Sequence, residues 1–389
     1  MRVMHRVRVA SLATALAIAL ATGCAPQPTA SVPAASVPAA SVPAAPEATR
    51  TEASPPPSPS PSSAPTTDAE RRIERIAVGG CLLDPAGGLA LGDIDKLDPD
   101  LMLWIGDNVY ADRMAVLGDL AGMRGLYQRL GENERFQRLA ADTTFMATWD
   151  DHDYGRNDAG VEWVFKDGAQ REFLRFWGEG EDDPRARQAG VYSARTFGSG
   201  DQTLQVILLD NRYHRDPYGD DPERTILGDE QWAWLRERLL EPATIRIIGS
   251  GIQVVNDYDP PNGDQWESWG DMPAERERLY ALVRELGVTG TFIVSGDMHH
   301  GELSRLPDDA AGFGYPTYDL TGAGLDQFET EELPNPARIG TVLNTDRKFG
   351  FITIDWTEDP TIRLQLHDGI SGAIHVEQVV RLSELAPRT

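Results

Sequence analysis

The sequence predicts an α/β fold in which short buried strands alternate with helices. Six apolar runs have the length of strands and stop abruptly at glycine or acidic residues. In chain order they are RIAVGG before Cys81, LMLWIGD ending at Asp107, FMATWDD ending at Asp150 and Asp151, LQVILLD ending at Asp210, IRIIGSG ending at Gly251, and TFIVSGD ending at Asp297. Two later runs, YDLTGAG and FGFITIDW, show the same pattern more weakly.

Helical patterns separate these runs. Apolar residues recur at helical spacing in parts of 115–141 and in 162–177, 228–240 and 274–286. Strands that alternate with helices are typical of layered α/β folds. Ligands in such folds bind at the carboxyl ends of the strands, and that is where this sequence places its acidic residues.

Residues 1–23 are predicted to be an export signal, because basic residues precede an apolar run too short to span a bilayer. Small residues before Cys24 resemble a bacterial lipobox and predict lipidation of Cys24; the alternative is an ordinary cleaved signal with an incidental cysteine. Residues 24–69 are predicted to be a Pro/Ser-rich tether, and 70–389 the folded domain. We therefore expect an extracytoplasmic protein, lipid-anchored to the cell membrane or secreted.

The chain is strongly acidic. Its formal net charge is −25, which becomes −28 when the three arginines of the signal are removed. Such a chain has no basic surface with which to grip a nucleic-acid backbone. We expect its acidic clusters to bind cations.

Cys81 is the one cysteine that remains once Cys24 is lipidated or removed. It therefore has no partner for an intramolecular disulfide bond in an exported chain. Three interpretations stay open at this point: a buried inert thiol, a nucleophile or a metal ligand.

Two motifs follow neighbouring strands. In WIGDNVYAD, Asp107 and Tyr110 could bind one cation, and a phenolate suits a hard, acidic metal such as Fe³⁺. The alternative is that Asp107 caps a turn and Tyr110 packs. In WDDHDYGRND, consecutive acids and a histidine directly after an apolar strand are costly to bring together unless cations neutralise them. A solvated acidic loop is the competing explanation.

In a third motif, FIVSGDMHHGEL, Asp297 and His299 alternate, so they face the same way if the strand persists, and together they form a mixed oxygen and nitrogen ligand pair. Satisfied surface histidines are the alternative, more so for His300. The sequence contains no G-x-S-x-G elbow, no P-loop and no H-E-x-x-H motif. Acids, histidines and one thiol at the ends of separate strands indicate a hydrolytic site with several metals.

Together these segments resemble the alkaline phosphatase D (PhoD-like) family of metallophosphatases. The resemblance runs from about Ile76 to Asp355 and rests on motifs that occur in the family's order. They are GGC, WIGDNVYAD, TWDDHDYGRNDAG, QVILLDNRYHR, ILGDEQWAWL, WESWGDMPAERERL and SGDMHHGELSRL. The resemblance implies a four-layer αββα sandwich, with two mixed sheets flanked by helices, and a secreted phosphoesterase that uses one Fe³⁺ with one or two Ca²⁺.

The resemblance also implies roles for individual residues. The iron ligands would be Cys81, Asp107, Tyr110 and His299. Asp107 would bridge towards calcium, whose remaining ligands would be Asp150, Asn157 and Asp297. His152 would face the phosphate and, with Asp151, act in catalysis.

Two departures from the family pattern affect the predicted substrate contacts. Better-known members carry a β-sandwich domain before the cysteine strand, where this sequence has the Pro/Ser-rich tether. Arg212 or Arg156 could replace a contact from that domain, although ordinary salt bridging explains either residue equally well. The second histidine of SGDMHH, His300, is assigned only a contact with the phosphate.

The resemblance implies hydrolysis of phosphate mono- or diesters by a metal-activated water. We therefore expect the substrates to be small-molecule or lipid phosphate esters and the protein to be a monomer. The alternatives are a phospholipase-D-like phosphodiesterase of the same fold and a non-catalytic metal-binding envelope lipoprotein.

Overall fold

A computed structural model of the chain describes residues 66–112, 118–180, 182–219, 221–256, 267–307, 312–329 and 333–388. The predicted signal, Cys24 and most of the predicted tether lie outside these residues. The elements, in order, are β1 (Thr66–Asp68), β2 (Arg75–Gly79), α1 (Leu89–Asp95), β3 (Leu101–Ile105), α2 (Leu120–Glu132), α3 (Glu134–Asp142), β4 (Thr144–Thr148), α4 (Asp151–Tyr154), α5 (Lys166–Trp177), β5 (Ser193–Phe197), β6 (Leu204–Leu208), α6 (Gly228–Leu239), β7 (Ile245–Ser250), α7 (Pro273–Glu285), β8 (Thr291–Ser295), β9 (Gly301–Leu306), β10 (Thr317–Gly322), β11 (Lys348–Asp355), β12 (Thr361–Asp368) and β13 (Ile374–Arg381).

The strands form two mixed sheets. One has six strands in the order β13-β12-β11-β2-β3-β4, and the other has seven in the order β1-β5-β6-β7-β8-β10-β9. Strands β2, β3 and β4 run parallel in the first sheet, as do β6, β7, β8 and β10 in the second. Helices α6 and α7 connect β6 to β7 and β7 to β8, as parallel neighbours require.

Strand β3 shows how the layers pack. Leu101, Leu103 and Ile105 contribute to a core that also contains residues of β6, β7 and β8, whereas Met102 and Trp104 pack with α1, α2, α3 and α5. All five side chains are buried. A strand buried on both faces lies between a second sheet and a helical layer. Since α6 and α7 pack on the seven-stranded sheet, the predicted αββα architecture is confirmed.

The carboxyl ends of strands from both sheets meet at one edge of the sandwich. A Cβ atom built on Gly296, just after β8, would lie 2.7 Å from the Gly251 carbonyl oxygen and 2.8 Å from that of Ile105. These three residues follow or end β8, β7 and β3. Glycine is needed there because the backbones approach too closely for a side chain. The predicted acidic strand ends are therefore brought together by this approach.

The structure extends the fold into the predicted tether and contains elements that the sequence pattern did not predict. Strand β1 pairs in parallel with β5, so the folded structure includes residues 66–68 of the predicted tether. The sequence pattern also did not predict α1, β5, β9, β12 and β13. Among the described residues, no helix combines the length and the apolar character needed to cross a membrane.

Candidate metal centre

Seven of the side chains predicted from sequence converge at this strand edge. Within each of three overlapping groups, one potential ligand atom per residue lies within 4.8 Å of all the others. The groups are Cys81, Asp107 and His299; Asp107, Asp151 and His152; and Asp107, Asp150, Asp151 and Asp297. Asp107 belongs to all three groups. This is the position expected of a ligand shared between metals.

Several of these residues have a backbone conformation that side chains normally avoid. The φ angles of Cys81, Asp107, Asp297 and His299 are 56°, 52°, 66° and 50°. They account for four of the six non-glycine residues with positive φ in the described parts of the chain. Left-handed backbone at such residues costs free energy and is concentrated at functional sites. The fold thus accepts strain in order to aim these side chains inward.

The thiol, phenol and imidazole lie on one side of the cluster. The Cys81 sulfur is buried 3.7 Å from the Asp297 carbonyl oxygen, and the Tyr110 hydroxyl lies 2.8 Å from His299 Nε2. Burial raises the pKa of Cys81 and of Tyr110 well above their ordinary values, and nearby acids raise both further. Burial lowers the pKa of His299 to about 4. A neutral imidazole can coordinate a metal, whereas the thiol and phenol need a cation to become anionic ligands.

The carboxylates form the other side. Asp107 Oδ2, Asp150 Oδ2, Asp151 Oδ1 and Asp297 Oδ2 are buried and accept no hydrogen bond. Burial, together with the neighbouring acids, raises the pKa of Asp107 and Asp297 well above the ordinary range. Buried carboxylate oxygens without donors are rare because each is costly to desolvate. Their convergence fits hard cations with oxygen ligands, such as Ca²⁺, beside a metal that accepts thiolate and phenolate.

Asp150 is held from behind by a buried ion-pair network. Arg212 Nε donates to Asp150 Oδ1 at 2.6 Å, and its Nη1 pairs with Glu267. Glu267 also accepts from Arg215 Nη2 at 2.7 Å and from the Tyr218 hydroxyl at 2.8 Å. Burial raises the pKa of Asp150 to about 7, although Arg212 opposes that rise. The network orients one oxygen of Asp150 and leaves the other free to face the cluster.

His152 lies at the mouth of the cluster. Its ring centroid is 4.2 Å from that of Tyr110, its Nδ1 is 3.5 Å from Asp112 Oδ1, and its backbone N–H donates to Asp107 Oδ1 at 3.2 Å. Burial alone would lower the pKa of His152, but the charges of Asp107 and Asp151 outweigh it and raise the pKa to about 11. The imidazole is thus placed beside the carboxylates and remains partly open to solvent.

Comparison with known proteins agrees with this geometry. A family model described as PhoD-like phosphatase matches residues 84–326, which is more than half of the chain. The chain belongs to the PhoD-like phosphatase family. The resemblance predicted from the motifs is confirmed, and Cys81 lies just before the matched range.

Individual relatives of this PhoD-like chain are distant. Alkaline phosphatase D of Bacillus subtilis (strain 168) is 24% identical over 229 residues, which cover 52% of this chain and 39% of that relative. The structure of PhoD aligns with a TM-score of 0.64 and 18% identity over 84% of this chain and 72% of that chain. A purple acid phosphatase from yellow lupin (Lupinus luteus) seeds aligns with a TM-score of 0.52 and 13% identity over 83% and 57%. At these identities the structural matches establish the fold alone, and the match spans well under half of the Bacillus relative.

The remaining predicted site residues of the PhoD-like chain lie at the edge of the cluster or away from it. Arg212 is fully buried between two carboxylates, an arrangement that does not favour the predicted contact with substrate. Arg156 lies on the surface, 4.0 Å from Glu162. His300 is buried, with its Nε2 3.5 Å from Glu302. Asn157 is exposed in the loop after α4, so its role as a calcium ligand stays a prediction.

Asp153 is a site residue that the sequence motifs did not single out. Its buried carboxylate accepts the backbone N–H groups of Asp107 at 3.3 Å, Asn108 at 3.1 Å and Asp150 at 2.7 Å, and the side-chain amide of Asn108 at 2.6 Å. It therefore joins the loop after β3 to the loop after β4. The signal for this role is positional: Asp153 is the third residue of a helix capped by Asp150, where an acid commonly bonds back to the cap backbone.

Proposed function

We propose that this chain is an extracytoplasmic, metal-dependent phosphoesterase that hydrolyses phosphate mono- or diesters with a metal-activated water. One observation carries the proposal: in a PhoD-like chain, four buried carboxylate oxygens without hydrogen-bond donors converge with a thiol, a phenol and an imidazole. Such a ligand set is costly unless cations occupy it. We assign the cations as Fe³⁺ with one or two Ca²⁺, because the thiol and phenol suit iron and the carboxylates suit calcium.

The residues of this chain divide the work in the proposed mechanism. Cys81, Tyr110 and His299 would hold the iron, Asp107 would be available to more than one metal because it belongs to all three groups, and Asp150, Asp151 and Asp297 would supply carboxylate oxygens for calcium. When bound, the cations would act as Lewis acids that activate water and neutralise charge on the phosphoryl oxygens. They also offset the acidic charge of the chain, which would otherwise repel a phosphate ester.

His152 is the residue best placed to handle the leaving group. Asp112 and the ring of Tyr110 hold its imidazole beside the cluster while one side stays open to solvent. From there His152 can donate a hydrogen bond to a phosphoryl oxygen, or a proton to the departing alkoxide. The sequence analysis assigned Asp151 a catalytic role. Its membership of two of the three groups of potential ligands, and its buried oxygen without a hydrogen bond, instead favour metal binding.

Turnover on two matched substrates tests the activity. The chain, stripped of metal and then reconstituted with iron and calcium, should release p-nitrophenol from p-nitrophenyl phosphate, from bis-p-nitrophenyl phosphate, or from both. Preference for the diester, together with release of alcohol from phospholipid vesicles, would support the phospholipase-D-like alternative. A protein that binds the metals but turns over no ester would support the non-catalytic envelope lipoprotein.

The proposed location depends on the N-terminus. We propose that residues 1–23 are removed and that Cys24 becomes the lipidated first residue, joined to the domain by the tether. Intact mass measurement of protein purified from the membrane fraction should show a chain that begins at Cys24 with a diacylglyceryl addition. A chain that retains residues 1–23, or that begins elsewhere without lipid, would contradict this location.

A further inference from the structure

Lys348 is a buried cation that the proposed mechanism does not use. It begins β11 and is fully buried. Its Nζ donates to the carbonyl oxygens of Gly324 at 3.4 Å, Thr345 at 2.9 Å and Gln327. An ammonium group has three N–H donors, so these three carbonyls satisfy it without any carboxylate. A lysine in this environment holds together the backbone segments whose carbonyl oxygens it binds.

The backbone that Lys348 binds belongs to a segment at residues 323–327, which we call the clasp. Gly324 lies within it at a φ of 91°, and a Cβ atom built there would collide with Lys348 Nζ. Only glycine both adopts this conformation readily and leaves room for the ammonium group. The shape of the clasp and the position of the lysine are thus matched to each other.

The clasp in turn holds the turn that carries Cys81, and it does so from both sides. Before the thiol, the backbone N–H groups of Gly324 and Leu325 donate to the Gly80 carbonyl oxygen at 3.2 and 3.0 Å. After the thiol, Asp326 accepts the backbone N–H groups of Leu83 at 2.6 Å and Asp84 at 2.8 Å. Cys81 itself sits at a strained φ of 56°. A residue in that conformation persists only when its surroundings fix it.

We propose that Lys348 is a positioning residue for Cys81: its ammonium group fixes the clasp, and the clasp fixes the thiol in the direction required of a metal ligand. The strand register supports this connection, because β11 pairs with β2 through Gly350 and Val78. Continued along both strands, that pairing brings Lys348 level with Gly80. The inference rests on the proposed role of Cys81 as a ligand. It goes beyond that role because it identifies the residue that orients the thiol.

Lys348→Met tests the inference, because methionine has similar length and no N–H donor. All proteins in the experiment carry Cys24→Ser, so that Cys81 is the single thiol. In metal-free protein, the variant should react with a thiol reagent on the order of tenfold faster than the parent, because the turn opens locally. Its iron affinity should fall roughly 10- to 100-fold, as is typical when a residue that supports a metal ligand is removed.

Arg246→Met is the matched control. Arg246 is also a buried cation whose contacts are backbone carbonyl oxygens, those of Ala243 at 2.9 Å, Thr289 at 3.2 Å and Glu241 at 2.6 Å. It lies near the start of β7, at the opposite end of that strand from the cluster. Arg246→Met should lose folding stability. Its Cys81 reactivity and iron affinity should nevertheless equal those of the parent when the two proteins are compared under conditions that give them the same free energy of unfolding.

Asp326→Ala provides a second test if Lys348→Met does not fold. It removes the carboxylate with which the clasp accepts the backbone N–H groups of Leu83 and Asp84. It should also speed modification of Cys81. Parental thiol reactivity and iron affinity in Lys348→Met, or parental thiol reactivity in Asp326→Ala, would overturn the inference. If the parent binds iron but cleaves no ester while Lys348→Met exposes the thiol, the proposed function fails and the positioning role stands.

Discussion

At the scale of single residues, the site contains carboxylate oxygens that accept no hydrogen bond and one carboxylate, that of Asp153, that accepts several. Asp107, Asp150 and Asp297 each leave a buried oxygen without a hydrogen bond, whereas both oxygens of Asp153 are occupied. The unoccupied oxygens are positioned for a cation, and Asp153 is positioned to hold the loops that carry them. The candidate ligands and the supporting acid are thus different residues, and Asp150 and Asp153 serve these two purposes only three positions apart.

Asp153→Asn should loosen these loops. An amide keeps one acceptor oxygen and replaces the other with a donor, so at least one backbone N–H group loses its partner. We expect the metal-free protein to lose about 1–3 kcal/mol of unfolding free energy, measured by urea denaturation. Metal affinity should fall roughly 10- to 100-fold, measured by titration.

The control for Asp153→Asn is Glu285→Gln, which removes an exposed ion pair with Arg236. Exposed pairs of this kind contribute little to stability because water screens their charges, so this variant should resemble wild type. Equal stability and equal metal affinity in Asp153→Asn and wild type would show that Asp153 does not support the loops.

Most residues of the cluster could be predicted from sequence because each directly follows a strand in a recognisable motif. Asp107, Tyr110, Asp297 and His299 do converge. The strand does not persist to Asp297 and His299, however: β8 ends at Ser295, and left-handed backbone at both residues brings their side chains into the cluster.

The supporting residues could not be found in this way. Glu267 lies 49 residues from Tyr218, and Lys348 lies 24 and 21 residues from Gly324 and Gln327 of the clasp. The environment of both residues therefore depends on tertiary packing. Nothing in the local sequence indicates that either residue is buried.

At the scale of elements, the cluster depends on how closely the strand ends approach one another. Gly80, Gly106, Gly251 and Gly296 follow strands, and a Cβ atom on each would meet backbone or a carboxylate side chain within 2.5–2.7 Å. These contacts place β3, β7 and β8 against one another where the ligands begin. Spacing between strands is therefore part of the metal site.

Gly296→Ala should push the end of β8 away from β3 and β7. We expect a lower free energy of unfolding and weaker metal binding, because Asp297 and His299 follow directly and move with the strand end. Gly125→Ala in α2 is the control: nothing lies within 4 Å of the added methyl, and alanine favours helix by up to about 1 kcal/mol. Thermal denaturation and metal titration of both variants check this, and unchanged metal binding in Gly296→Ala would contradict it.

Three of the elements that the sequence missed, β5, β13 and α1, have weak local signals. Strand β5 has a single buried residue, Phe197, and β13 is largely exposed, so neither forms an apolar run. Helix α1 is short and contains glycine and two aspartates. By contrast, β2, β3, β7 and β8, which end at the cluster, are almost entirely buried, and β4 is buried over its last three residues; these strands were predicted. Burial on both faces gives a sequence signal that half-exposed edges lack.

At the scale of the whole molecule, stability should depend on pH in opposite directions with and without metal. Burial raises the pKa of Asp150 and Asp153 to about 7 and that of Asp319 to about 6. Between about pH 4 and 7 the folded, metal-free protein therefore holds protons that the unfolded chain releases. Its stability falls as pH rises through this window, by up to about 1.4 kcal/mol per pH unit for each such group.

His299 opposes this trend. Its folded pKa is lowered to about 4, so its contribution is present above its ordinary pKa and is lost as pH falls through about 4. His367, whose pKa is also lowered by burial, acts in the same direction as His299. Three carboxyls and His152, whose folded pKa is raised to about 11, act in the other direction, and the acidic net charge adds repulsion as pH rises. The metal-free protein should therefore unfold at a higher urea concentration at pH 5.5 than at pH 8.

Bound cations should reverse the dependence, because they must displace the protons that the carboxyl groups hold. After reconstitution with iron and calcium, the urea midpoint should rise from pH 5.5 to pH 8. Urea denaturation of the same preparation, with chelator and after reconstitution, makes the comparison. A metal-free protein that is more stable at pH 8 would show that the cluster is not a set of buried, uncompensated carboxyl groups.

The central claim is that Cys81 is a metal ligand in a hydrolytic cluster, and the metal content of wild type and Cys81→Ser measured side by side tests it most directly. We expect wild type to contain iron and calcium, and to show a visible charge-transfer band from the phenolate or thiolate to iron. Cys81→Ser should fold, keep most of its calcium, and lose iron, the band and most of the hydrolysis of p-nitrophenyl esters. Equal iron content in the two proteins would contradict the account and return Cys81 to the class of buried, inert thiols.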